Sequence, residues 1–133
     1  MKWLLALFFM ATPAFAQYPV GTWPIGTAPT VIIPATSMAV SVTGPTIPVW
    51  SLDNLDFQAV WTGTPIGVFS VQVSEDGINW DTLPLTPAIG PGGGPGHATA
   101  DLSVVGAPYV HFVYTSGSGT GTLVVTAFGK VHQ

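Results

Sequence analysis

The feature that most narrows the fold of this chain is a hydrophobic period of two. From Ser37 onward, apolar residues recur at every second position in runs that glycine and proline cut short, and no stretch repeats at helical spacing. Leu55, Phe57, Ala59 and Trp61 alternate with Asp56, Gln58, Val60 and Thr62, and Phe69, Val71 and Val73 alternate with Ser70, Gln72 and Ser74. Val110, Phe112 and Tyr114 alternate with Tyr109, His111 and Val113. In the last run, Leu123, Val125, Ala127 and Val131 share one face, opposite Val124, Thr126, Phe128 and Lys130. Successive side chains of a strand point to opposite faces, so each run predicts a strand with one face buried and the other largely polar. Weaker runs at Met38–Thr43, Trp80–Leu83 and Ala98–Val105 bring the expectation to seven or eight strands joined by Gly/Pro turns. That pattern predicts an all-β antiparallel β-sandwich of jelly-roll or immunoglobulin-like type, with strand order left open.

The residues before Ser37 obey different rules. MKWLLALFFMATPAFA, residues 1–16, combines one lysine, a short apolar run and an A-x-A site, which is the pattern of a secretory signal peptide. The run is shorter than the roughly 20 residues that cross a bilayer, so no membrane span is expected in the mature chain. Residues 17–36 contain YPVGT followed by WPIGT, with Pro29 and Pro34 continuing the five-residue spacing of Pro19 and Pro24. Proline at that density removes backbone donors and fixes φ, so this segment is expected to be an extended, polyproline-like arm. It either folds along its own domain or docks on a neighbouring subunit. Residues 37–133 are then the sandwich domain. Export places the protein in the periplasm, at the cell surface or outside the cell, with a virion also admitted.

Charge excludes whole classes of function. The chain has six acidic residues against two lysines and no arginine, and Lys2 leaves with the signal. Nucleic-acid affinity comes largely from Lys and Arg neutralising phosphates, so a mature chain whose only such cation is Lys130 does not fit nucleic acid. Charged residues make up 6% of the chain, against about 25% in typical soluble proteins. Such a surface favours self-association or an assembly partner. Cysteine is absent, so stability must come from the core or from other chains.

Few residues offer chemistry. His97, His111 and His132 lack metal-ligand spacing, and His111 is expected to point outward from its strand. No serine sits in a G-x-S-x-G elbow. SGSGTGT, Ser116–Thr122, reads as a hairpin connection between two strong strands. Asp53 with Asp56, Glu75 with Asp76, and Asp81 are the carboxylates a hydrolase would draw on, but sequence spacing does not set them across a cleft. No cofactor is expected. Asp76, Asn79 and Asp81 could offer oxygens to calcium, without the ladder of a dedicated calcium loop. PAIGPGGGPGH, Pro87–His97, is expected to be a mobile loop or one ordered only by a partner. Trp61 and Trp80 are assigned to the core, whereas Trp23, Trp50 and Tyr109 are candidate contacts for a partner or a glycan.

SEDGINW, Ser74–Trp80, separates two strands. Asp76-Gly77 supplies a tight turn, glycine accepting φ > 0 and aspartate bonding the nearby backbone, and Trp80 is expected to anchor the hairpin to the core. The stretch resembles the S-x-D-G-x-x-W hairpin of discoidin-type carbohydrate-binding sandwiches, a resemblance that implies a structural turn and no ligand residue. WTGTPIG, FSVQVSEDGINW and APYVHFVYTSGSGTGTLVVTAFGK together resemble small β-sandwich proteins of bacteriophage structural genes, which also occur in predatory and marine bacteria. That resemblance covers approximately Leu55–Lys130 and implies a virion or surface structural role. The expectation is therefore a non-enzymatic, exported structural or adhesive subunit. A carbohydrate-binding module is the alternative, and a small secreted hydrolase comes third.

Overall fold

The computed structural model describes residues 28–85, 88–102 and 106–131. Among the described residues nine strands, all paired antiparallel, form two sheets. Sheet A has the order β1 (Thr30–Ser37), β9 (Thr122–Val131), β4 (Leu52–Trp61), β7 (Gly96–Leu102). Sheet B has the order β2 (Val42–Thr43), β8 (Tyr109–Ser118), β5 (Ile66–Ser74), β6 (Asp81–Pro84), with β3 (Ile47–Pro48) also pairing with β8. Among these strands, only β2–β3 and β5–β6 are successive in the chain and share a sheet; every other step crosses from one sheet to the other.

The period-two runs lie where their patterning requires. Leu55, Phe57, Ala59 and Trp61 of β4 and Leu123, Val125 and Ala127 of β9 are buried on the inner face of sheet A. Phe69, Val71, Val110, Phe112 and Tyr114 face them from sheet B. Aromatic rings join the layers: Phe57 lies 5.5 Å from Phe112, and Trp61 5.4 Å from Phe69. Phe69 in turn contacts Phe112 at 5.2 Å and Tyr114 at 5.6 Å. Tilted pairs of this kind add about 0.5–1.5 kcal/mol each beyond the area they bury. The chain thus compensates for the missing disulfides with an aromatic centre.

Three expectations change. Residues 30–36, taken with the arm, belong to the sandwich as most of β1, an edge strand bonded to β9 with register shifts on either side of Ile33. Pro34 is tolerated there because an edge strand needs only one row of backbone bonds. Residues 17–27 of the arm lie outside the described residues. Met38–Thr43 is mostly a crossing from sheet A to sheet B. Met38 is fully buried, its N–H donating to Gly121 O at 2.9 Å, while Val40 is exposed and only Val42–Thr43 pairs as strand.

Ser116–Thr122 is not a hairpin, because β8 and β9 belong to different sheets. The connection crosses the end of the sandwich and interlocks with the β4–β5 turn, Thr62–Pro65, which makes the same crossing. Thr62 N–H donates to Thr122 O at 3.0 Å and Thr64 N–H to Thr120 O at 2.8 Å. A Cβ on Gly121 would meet Thr62 O at 2.1 Å, so the glycines of SGSGTGT admit a neighbouring backbone.

Candidate functional site

The glycine-rich segment is ordered by its own chain. Phe69 N–H donates to Ile89 O at 2.8 Å, Gly67 N–H to Pro91 O at 3.1 Å and Gly93 N–H to Pro65 O at 2.8 Å. Residues 89–93 therefore run along the first half of β5, beyond the end of β6. Trp61 Nε1–H donates to Gly94 O at 2.8 Å. The expectation of a loop that only a partner would order fails for residues 88–97: the carbonyls of Ile89 and Pro91 satisfy β5 backbone, and Gly90 between them has no Cβ to meet Gly67 O.

The β5–β6 turn is built around one carboxylate. Asp76 Oδ1 accepts from Ile78 N–H and Asn79 N–H, both at 2.8 Å, and from Ser74 Oγ at 3.0 Å. Asp76 Oδ2 accepts from Asn79 Nδ2 at 2.7 Å. These donors hold the carboxyl well below the usual carboxylate range, the backbone bonds from Asn79 and Ile78 being the largest causes. Gly77 has φ +74°, and a Cβ there would lie 3.8 Å from the Tyr109 ring. Among the described residues no group of three or more His, Cys, Asp or Glu side chains is placed to hold a metal ion.

Trp80 is not in the core. It leaves the turn on the outer face of sheet B and stacks on the His111 imidazole, with centroids 3.8 Å apart and planes 13° from parallel. His111 points outward, as the alternation of β8 demands, yet Trp80 leaves it only 8% exposed. The reason is local: the turn curls over Ser74 and Tyr109, which are paired across β5 and β8, and so delivers Trp80 above the sheet.

A row of polar contacts crosses three strands beside that stack. His111 Nε2 lies 2.6 Å from Gln72 Oε1, and Gln72 Nε2 donates to Thr82 Oγ1 at 3.1 Å. An imidazole that donates through Nε2–H to the amide oxygen satisfies both side chains. Burial lowers the His111 pKa, which favours the neutral form. Sequence reasoning missed the constellation. The alternation placed Gln72 and His111 on polar faces, but only the register pairs them.

Of the three aromatic contacts expected from sequence, the structure brings two together. Trp50 is 56% exposed and meets Tyr109 edge to face at 5.5 Å and 87°. Trp23 lies outside the described residues. Tyr109 and His111 are two apart on β8, so Trp50–Tyr109 and Trp80–His111 are successive aromatic stations on one face, about 7 Å apart along the strand. Ile78, 80% exposed, sits at the tip of the intervening turn.

Sheet A presents a different outer face. Val31 and Val60 are exposed there, and Val124, on β9 beside Val60, is half-buried. Asp56 is paired with Asp101 across β4 and β7, a partner its spacing to Asp53 did not suggest. Burial raises the Asp56 pKa, as do the Asp101 charge and a hydrogen bond between the two carboxyls, while Lys130 opposes the shift. Asn54 Oδ1 has no hydrogen-bond partner and lines a small cleft with Val49, Leu52 and Leu102. Among the described residues no helix is long and apolar enough to cross a membrane. No family model, curated protein or solved structure matches the chain.

Proposed function

We propose that the protein is an exported, non-enzymatic structural or adhesive subunit built on a jelly-roll. The strand order supports the jelly-roll over the immunoglobulin-like alternative. An immunoglobulin sandwich keeps several successive strand pairs within one sheet, whereas this chain crosses between sheets at nearly every step. A role like that of phage virion accessory or spike-like proteins follows from the resemblance of Leu55–Lys130.

The observation that carries the reading is the outer face of sheet A, where Val31 and Val60 are exposed on a chain that is only 6% charged. Exposed apolar side chains on so sparsely charged a chain suit a second copy or an assembly partner. Light scattering on the chain starting at Gln17 is expected to show a defined oligomer, and removal of residues 17–29 is expected to reduce it to a monomer. The deletion stops before Thr30 because β1 belongs to the fold. A monomer at every concentration in the undeleted chain overturns the assembly reading. Carbohydrate binding is the second reading, favoured by the exposed Trp50 held edge-on by Tyr109.

A further inference from the structure

We infer that the outer face of sheet B is a binding platform for a neutral oligosaccharide, with Trp80 as its stacking surface and Gln72 and Thr82 as its hydrogen-bonding groups. The inference deepens the carbohydrate reading and rests on it.

Trp80 is poised for such a role by what lies behind it. One face of the indole is fixed against His111 at 3.8 Å, and His111 is itself held by Gln72, so the ring is a rigid shelf and not a mobile surface side chain. A shelf of this kind loses little entropy when a sugar ring stacks on it. An aromatic ring with an adjacent polar edge suits a ligand whose rings carry C–H groups on their faces and hydroxyls at their rims.

The neighbouring polar groups have capacity to spare. Thr82 accepts from Gln72, which leaves its hydroxyl proton uncommitted within the described residues, and Gln72 Nε2 uses one of its two N–H groups. Thr82 is exposed on the edge strand β6, where a ligand reaches it without displacing protein. Trp50–Tyr109, the next station along β8, extends the aromatic surface for a chain longer than one ring.

Charge selects among sugars. Glu75, Asp76 and Asp81 surround the platform in sequence, and Lys130 lies in sheet A, where β9 pairs with β4 at Asn54. With carboxylates near and the cation on the other sheet, a uronic or sulfated glycan is repelled and a neutral one is not.

The test is calorimetric titration of the purified protein with cellopentaose, xylopentaose, mannopentaose and chitopentaose, and with pentagalacturonic acid as the anionic comparison. At least one neutral probe is expected to saturate at millimolar concentration or below, and the anionic one is not. Trp80→Ala is expected to weaken binding about tenfold or more, with partial recovery in Trp80→Phe, which keeps a ring on His111. Thr82→Ala is expected to weaken it roughly two- to tenfold, the equivalent of one hydrogen bond. Thr82 is exposed and outside the core, so its variant decides the question even if Trp80→Ala folds poorly. The inference is overturned if no neutral probe saturates, if the anionic probe binds best, or if Trp80→Phe and Thr82→Ala bind as the wild type does. The oligomeric state is read separately by light scattering, so failure here leaves the assembly reading standing and is distinguishable from its failure.

Discussion

Gly121→Ala probes the two interlocked crossings at the end of the sandwich. The new methyl would lie 2.1 Å from Thr62 O and 3.1 Å from Pro65 Cδ, whereas carbon and oxygen normally approach to about 3.3 Å. Relief requires a separation of about 1 Å, and the obstacle is backbone with no flexible side chain to give way. Opening the crossing by that much breaks the Thr62–Thr122 and Thr64–Thr120 bonds, now 3.0 and 2.8 Å. Two backbone bonds at about 0.5–1.5 kcal/mol each, together with strain of about 1–3 kcal/mol, give an expected loss of roughly 2–6 kcal/mol. For a domain of this size that lowers Tm by roughly 10–30 °C. Gly94→Ala is the control: nothing lies within 4 Å of its Cβ and its φ is not positive. It is expected to be neutral or to stabilise by up to about 1 kcal/mol, because alanine narrows the unfolded ensemble. The assay is thermal denaturation of the two variants beside wild type. A Gly121→Ala protein melting within 2–3 °C of wild type, or about 0.5 kcal/mol, would refute the interlocked crossing and return Ser116–Thr122 to a hairpin.

Other outcomes follow from the core and from the titratable groups. Phe112→Ala removes the ring that touches both Phe57 and Phe69; urea denaturation is expected to show a loss of about 3–5 kcal/mol, a large share of a typical domain's stability. His111 has its pKa lowered by burial, so its contribution is fully present above the unfolded value near 6.5 and is lost as pH falls through the lower folded value. NMR titration should find that lowered pKa, and His111→Phe should flatten the stability profile across that window. The Asp56 pKa is raised, so that pair favours folding at low pH and loses its contribution as pH rises through the folded value. Asp101→Asn is therefore expected to raise Tm at pH 7, where it removes the charge beside Asp56, and to raise it less at low pH, where Asp56 is protonated.

Much of the fold was legible because its determinants are local. Burial of Leu55, Phe57, Ala59 and Trp61 follows from their alternation alone, and Gly77 adopts φ +74° because a turn demands it there. Features that depend on pairing were not legible. Strong strands flank Ser116–Thr122, but nothing local tells whether they share a sheet, and they do not. Flexible composition in Pro87–His97 concealed a segment that bonds to β5 through the carbonyls of Ile89 and Pro91. Trp80 restarts an apolar run, yet the turn before it curls over the sheet and sets it on His111. The candidate site was half legible: Trp50 and Tyr109 stood out as exposed aromatics, whereas His111, Gln72 and Thr82 converge only through the β8–β5–β6 register.

The claim that the two outer faces do different work is tested most directly by amide and indole NMR shifts recorded while cellopentaose, xylopentaose, mannopentaose or chitopentaose is added to the purified protein. The account predicts that the largest changes fall on the Trp80 indole N–H and on Gln72, Thr82 and His111, with Val60 and Val124 on sheet A unmoved. Shifts centred on sheet A, or no saturable shift with any of the four sugars, would contradict it.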